Sequence, residues 1–170
     1  THWRGNLAGA ATSPAFEVND LGFQTRTDRR DVAGSLSYVE NTPGSFLRNY
    51  SINSNLRLEH NYDWERILGV AGLQLNFRTL GFWGGAINVG RQLRALDDRN
   101  TRGGPLKERP AGWSGFAHVG SDSRKALSVF TTAYGARDDY GSWNAGGEVT
   151  MILRTSERWS LQVGPNFGRS

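Results

Sequence analysis

Tyr50-Ser51-Ile52-Asn53-Ser54-Asn55-Leu56-Arg57-Leu58-Glu59-His60-Asn61 is the stretch on which the fold turns. Its even positions Tyr50, Ile52, Leu56 and Leu58 are apolar, and its odd positions Asn53, Asn55, Arg57, Glu59 and Asn61 are polar. Successive side chains of an extended chain point to opposite faces, so this pattern predicts a strand with one greasy face and one wet face. The same period continues outward. Ile67, Ala71, Leu73, Leu75 and Phe77 oppose Gln74, Asn76 and Arg78, and Trp83, Ile87, Val89 and Leu93 oppose Asn88, Gln92 and Arg94, with Arg91 breaking the apolar row. Trp143, Ala145, Val149, Met151 and Leu153 oppose Asn144, Glu148, Thr150 and Arg154, and Trp159, Leu161, Val163 and Phe167 close the series. Nine strands are expected, at about residues 3–11, 28–40, 46–61, 66–79, 83–96, 113–121, 124–136, 142–154 and 158–168. A helix over residues 56–75 competes, because Leu58, Tyr62, Glu65 and Leu68 could share a face. Gly69 and Gly72 would cost that helix about 1 kcal/mol each, and the alternation on both sides favours strands.

Composition narrows the chemistry. The 170 residues include 22 Gly, 6 Trp, 3 His and no Cys. Disulfides, thiolate nucleophiles and Cys-based metal centres are therefore excluded, and neither a metal nor a cofactor is expected. The longest apolar candidate, residues 67–75, is interrupted by Gly69, Gly72 and Gln74. It falls far short of the roughly 20 apolar residues of a spanning helix. The formal charge is +4, but segments such as Asp28-Arg29-Arg30-Asp31 and Lys107-Glu108-Arg109 mix both signs. A phosphate-backbone face wants clustered, unopposed cations, so no nucleic-acid partner is expected. Lysine occurs only at Lys107 and Lys125, whereas arginine is abundant. Arginine suits hydrogen-bonded, carboxylate-paired or lipid-phosphate positions.

Alternation alone does not separate a soluble sandwich, which hides its apolar row, from a transmembrane barrel, which turns that row to lipid. Three features favour the barrel. Several segments run longer than the 5–6 residues usual in globular sheets and exceed the roughly 9–11 of a tilted spanning strand. Trp3, Trp83, Trp113, Trp143 and Trp159 each open an expected strand, where amphipathic rings form interfacial girdles. The connections after the second, fourth, sixth and eighth strands are short, whereas the remainder, notably residues 97–112 and 137–142, are longer or more polar. Only residues 62–65 break that rhythm. The mean hydropathy of −0.54 is no objection, because half of each spanning strand faces water.

The segment Ser13-Pro14-Ala15-Phe16-Glu17-Val18-Asn19-Asp20-Leu21-Gly22-Phe23 resembles a motif in the C-terminal barrel domain of a large family of Gram-negative surface proteins. In that family a family-nine carbohydrate-binding-like domain precedes a domain of unknown function. Gly120-Ser121-Asp122-Ser123-Arg124-Lys125-Ala126 is similar to another of its recurring turns. The resemblance implies a porin-like outer-membrane β-barrel with no established reaction, and it extends over the whole chain as part of a longer region.

The bland reading of each chemical candidate prevails. Ser114, His118 and Asp122 offer hydroxyl, imidazole and carboxylate, but four residues along a strand is roughly 13 Å, too far for a nucleophile and its base. Asp97-Asp98-Arg99-Asn100 and Asp138-Asp139 are loop oxygens without the spacing of a calcium loop. What remains is a polar row of Asn53, Asn55, Arg57, Glu59, Gln74, Asn76, Arg78, Asn88, Gln92, Arg94, Asn144, Glu148 and Arg154, expected to face the lumen as a hydrogen-bonded plug or an aqueous lining.

The expectation is therefore an all-β, antiparallel up-and-down transmembrane β-barrel in one domain over residues 1–170. It would sit in the Gram-negative outer membrane, with a structural or transport-related role and no catalysis. Its partners would be outer-membrane lipid or lipopolysaccharide, other outer-membrane proteins, or the rest of its own barrel. A soluble lipocalin-like or sandwich ligand-binding module is the alternative, and an outer-membrane hydrolase the third. Bacterial barrels close with even strand numbers. A count of nine means either that one weak strand, with the first the leading candidate, is not a strand and eight remain, or that the chain is a segment of a larger barrel. A start at Thr1-His2-Trp3 without Met or a signal segment favours the segment.

Overall fold

The computed structural model describes residues 1–16, 27–97, 106–156 and 159–170. The strands are β1 (Trp3–Thr12), β2 (Arg29–Glu40), β3 (Leu47–His60), β4 (Arg66–Thr79), β5 (Gly84–Gln92), β6 (Ala95–Asp97), β7 (Lys107–Arg109), β8 (Gly112–Gly120), β9 (Leu127–Asp138), β10 (Trp143–Ser156), β11 (Trp159–Val163) and β12 (Asn166–Arg169). No helix occurs among the described residues, and the helix weighed over residues 56–75 is two antiparallel strands. Residues 17–23 of the family-like segment and residues 98–100 of the first acidic cluster lie outside the described residues.

One antiparallel sheet runs in the order β1-β2-β3-β4-β5-β8-β9-β10-β11, with β12 also on β10. It is open: β1 and β11 are its ends, and they are not paired to each other. The expected final strand, residues 158–168, is broken into β11 and β12, which line successive stretches of β10. The break falls at Gly164-Pro165, where proline has no N–H to give a ladder, yet the Pro165 carbonyl still accepts the Val149 amide at 3.1 Å. The expected fifth strand is also too long. Past Gln92 the Leu93 amide donates to the Gly69 carbonyl at 2.8 Å, and the Leu93 side chain occupies the space beside Gly69. The chain then leaves the sheet to form the β6–β7 hairpin.

Three hairpins use the same short turn. In each, an Asn, Thr or Asp accepts from the amide of the residue four positions on: Asn61 from Glu65 at 2.8 Å, Thr79 from Trp83 at 3.1 Å, and Asp138 from Ser142 at 2.8 Å. The fourth residue of each turn is left-handed, with φ of 64° at Trp64, 63° at Phe82 and 92° at Gly141. Glycine is the ordinary residue there, and an aromatic residue stores strain of order 1 kcal/mol or more. Both strained rings lie under guanidinium groups, Trp64 under Arg30 and Phe82 under Arg48 and Arg124. The connection between β9 and β10, expected among the longer ones, is one of these tight turns.

The high glycine content also has a packing cause. Phe77 pairs with Gly85, Phe130 with Gly120, Tyr134 with Gly146 and Phe167 with Gly147, directly across the ladder. At Gly120 and Gly146 the ring takes the space of a Cβ, and at Gly85 and Gly147 it lies 3.0 Å from where one would be. Wide rings fit between strands by covering a residue that has no side chain.

Burial is inverted relative to a water-soluble sheet. The buried apolar residues among those described are Ile67, Ala86, Ala95 and Ala111, all small except Ile67. The buried polar ones are Glu59, Asn61, Thr79, Asp122 and Ser128. No second layer of described residues covers either face of the sheet.

Candidate functional site

The registers place one row of each strand on a common face. Ile52 pairs with Leu75, Leu75 with Ile87, Ile87 with Ala117, and Ala117 with Ala133. Tyr38 and Val32 of β2 join the same face through Ile52 and Leu58, as does Leu7 of β1 through Gly34. This apolar face is open: Leu7, Leu36, Leu56, Leu73, Val89 and Met151 are among its exposed members.

The opposite face gathers the polar row. Asn53 pairs with Gln74 and Gln74 with Asn88, which puts three amides in line across β3, β4 and β5. Ser51 pairs with Asn76, and its hydroxyl oxygen accepts from Asn76 at 3.1 Å and Asn53 at 3.4 Å, while Gln74 donates to Asn76 at 3.0 Å. Asn55 lies over Gly72, filling the space a side chain there would take. Asp31 and Glu59 are direct cross-strand partners, a like-charge pair that would repel on its own. Arg29 offsets Asp31 at 2.8 Å and Arg57 offsets Glu59 at 3.5 Å, giving an alternating charge cluster on this face.

Other members of the expected lumen row are less uniform. Arg78 and Gln92 stand on the polar face at the ends of the β4–β5 ladder, and Asn144 and Glu148 stand on it in β10, paired with Ala136 and Thr132. Thr150 donates to Glu148 at 2.7 Å. Arg154 reaches beyond its strand to donate to the Ser123 carbonyl at 2.6 Å. Arg94 is misassigned by strict alternation, because β5 ends at Gln92. It lies in the connection to β6, where its carbonyl accepts from Arg66 and its guanidinium is 3.4 Å from Glu108.

Period-two reading missed that Phe116, Phe130 and Tyr134 also occupy the polar face, with Phe116 between Asn88 and Tyr134. Strict counting from His118 would have placed Phe116 there.

The tryptophans stand at strand ends. Trp3 opens β1 and Trp83 immediately precedes β5 at one end of the sheet, where the connections are residues 41–46, 80–83, 121–126 and 157–158. Trp159 opens β11 at that same turn end. Trp113 and Trp143 lie at the opposite, loop end, where the connections include residues 13–28 and the β6–β7 hairpin. All five are between 44% and 75% exposed. At the loop end Tyr140 donates to Glu108 at 2.5 Å, tying the β9–β10 turn to β7, and this carboxylate raises the phenol's pKa.

Ser114, His118 and Asp122 are not brought together as a triad. Ser114 and His118 sit four residues apart along β8, and His118 packs against the Phe116 ring, with centroids 5.6 Å apart. Asp122 is engaged elsewhere, accepting two guanidinium hydrogen bonds from Arg124 at 2.7 and 2.8 Å. Those bonds hold its carboxyl down, from an ordinary value of 3.8 to about 2. The folded pKa lies below the unfolded one, so this turn contributes stability above about pH 4 and loses it as the pH falls through about 2. Acid titration followed by tryptophan fluorescence should show a shallower loss across that window in Asp122→Asn than in the parent. Identical acid limbs would remove Asp122 as a contributor. Of the acidic clusters, Asp97 pairs with Arg109 at 3.0 Å, and Asp138 and Asp139 accept turn hydrogen bonds and Arg91 respectively. Among the described residues no group of three His, Asp or Glu side chains could hold a metal ion.

The fold and the face defined here are those of an all-β protein built on one long-stranded antiparallel sheet. Over residues 1–170 the chain matches a family described as a domain of unknown function (DUF5916), and it belongs to that family. No curated protein and no solved structure matches the chain.

Proposed function

We propose that the chain is a membrane-embedded wall of a Gram-negative outer-membrane β-barrel, with a structural or transport-related role and no catalysis. One observation carries the reading: in the centre of β3, β4 and β5 the apolar residues Ile52, Leu56, Leu73, Ile87 and Val89 are exposed, whereas Asn53, Gln74, Asn76 and Asn88 on the other face are half-buried and Glu59 is buried. In water such an apolar face would be far larger than a soluble monomer tolerates. In lipid it is the face the barrel requires. Strands of fourteen residues in β3, β4 and β10 span roughly 46 Å at 3.3 Å per residue, enough to cross a hydrocarbon core of about 30 Å while tilted.

In this reading the edges at β1 and at β11 and β12 are closed by further strands of the same barrel or by another outer-membrane protein, since open sheet edges do not persist in lipid. The lipid or lipopolysaccharide of that membrane is the partner of the apolar face. The polar face, with its amide line and charge cluster, is the lumen side. The resemblance to Gram-negative surface proteins supports the same location, and the carbohydrate-binding-like domain it implies adds nothing to the role proposed for this sheet. A soluble binding module would need a layer over the apolar row.

Cysteines placed singly at Leu73 and Gln74, neighbours on opposite faces of β4, test the proposal. A lipid-phase reagent should label the Leu73 site and spare the Gln74 site. Equal labelling of both, or a chain that stays monodisperse in plain buffer, would refute it.

A further inference from the structure

We propose that the loop end of the apolar face seats the phosphate groups of an anionic lipid leaflet on a band of arginines and aromatic rings. This inference rests on the membrane reading and adds an orientation and a lipid class to it. The band exists only because of the register. Arg91 pairs with Trp113, Trp113 with Arg137, and Arg137 with Trp143, so four strands lay arginine and tryptophan alternately along one line. The Arg91 guanidinium lies 5.1 Å from the Trp113 ring centre, and that of Arg169 lies 5.9 Å from the Trp143 ring. On the same face, nearer the β1 edge, Arg30 stacks on Tyr62 at 4.1 Å and Trp64 at 4.6 Å.

These arginines belong to the row otherwise made of residues such as Ile87, Val89 and Met151. A cation on that row is costly at mid-bilayer and tolerable near the interface, where its stem lies along apolar surface and its head reaches the phosphates. Each of them stands within about two residues of a strand's loop end. At the turn end the same row carries Trp3, Tyr38, Tyr50, Phe77, Leu127 and Leu153, with no arginine among them. The arginines of that end are placed differently. Arg78 and Arg154 stand on the polar row, and Arg48 and Arg124 stack on Phe82, with Arg124 held by Asp122. Among the described residues both ends thus carry interfacial rings, but only the loop end adds cations to the lipid-facing row, which matches a bilayer whose leaflets differ in phosphate charge. Guanidinium groups bind phosphate oxygens in a two-pronged fashion and can do so while stacked on a ring. Asp139, 3.5 Å from Arg91, offsets part of the charge at one position of the band. The exposed Trp64 is kept in a strained left-handed conformation where glycine would be easier, and that strain has a use if its ring is an anchor.

The test is tryptophan quenching in vesicles of phosphatidylcholine containing a minor fraction of phosphatidic acid, with bromine on the acyl chains of one lipid or the other. The parent chain should be quenched more by brominated phosphatidic acid than its share of the bilayer predicts. In the triple variant Arg30→Gln, Arg91→Gln, Arg137→Gln that excess should fall by up to roughly fivefold for each arginine removed, with quenching by brominated phosphatidylcholine retained. Retained quenching by phosphatidylcholine without any preference in the parent, or a preference unchanged in the triple variant, overturns the phosphate band and leaves the membrane reading standing. A carboxylate-bearing protein partner for the band would give the first of these results. A parent quenched by neither lipid overturns both.

Discussion

Leu73→Arg should destabilise the membrane-inserted chain by about 2–4 kcal/mol, the cost of a cation on the lipid face near mid-bilayer. Leu73 sits in the middle of β4, paired with Ser54 on one side and Val89 on the other, and it is 52% exposed. That exposure makes the substitution discriminating. At a half-open site in water the same change would cost within about 0.5 kcal/mol, because an arginine there stays solvated. Urea unfolding from vesicles reads the difference, with Gln74→Leu beside it as the opposite-face control. Gln74 donates one hydrogen bond, to Asn76, so its replacement should cost about 1 kcal/mol. A Leu73→Arg chain as stable as the parent would remove the lipid-facing assignment of the apolar row.

Gly85→Val should cost about 3 kcal/mol, for a reason independent of the membrane. A Cβ at Gly85 would run into the His118 carbonyl of β8 and meet the Phe77 ring at 3.0 Å. The carbonyl belongs to the backbone of a central strand and cannot rotate aside, and the ring is already seated on the glycine by its direct pairing. Overpacking of that kind costs 1–3 kcal/mol or more, and β-branching adds to it. Gly34→Ala is the contrasting case, because the nearest atoms to its Cβ are 3.6 and 3.8 Å away, an ordinary contact. There the loss of unfolded-state freedom should dominate and stabilise the chain by about 0.4–1 kcal/mol. Parent-like stability in Gly85→Val would mean that β5 and β8 do not approach as closely as their pairing implies.

The long strands were legible because the alternation of residue type is itself the geometry of an extended chain. β3, β4 and β10 begin and end within about two residues of where the period starts and stops. The members of the polar row in those strands were legible for the same reason. Arg94 was not, because its strand is ended by a contact: Leu93 docks beside Gly69, a neighbour across the sheet rather than along the chain. Nor was the left-handed residue of the β4–β5 turn. Gly81 is the residue a turn would be expected to use, but the Thr79 hydroxyl and the β4–β5 register put Phe82 there instead.

The sequence by itself determined that this protein is an antiparallel β-sheet with one apolar and one polar face, because side-chain periodicity needs no partner to be expressed. The absence of cysteine likewise excludes disulfide and thiolate chemistry. Only the tertiary structure decided which residues of different strands become neighbours. The line Arg91, Trp113, Arg137, Trp143, the opposed carboxylates Asp31 and Glu59, and the rings seated on glycines all depend on register. A shift of one residue between strands would leave each strand's own pattern intact and dissolve every one of them.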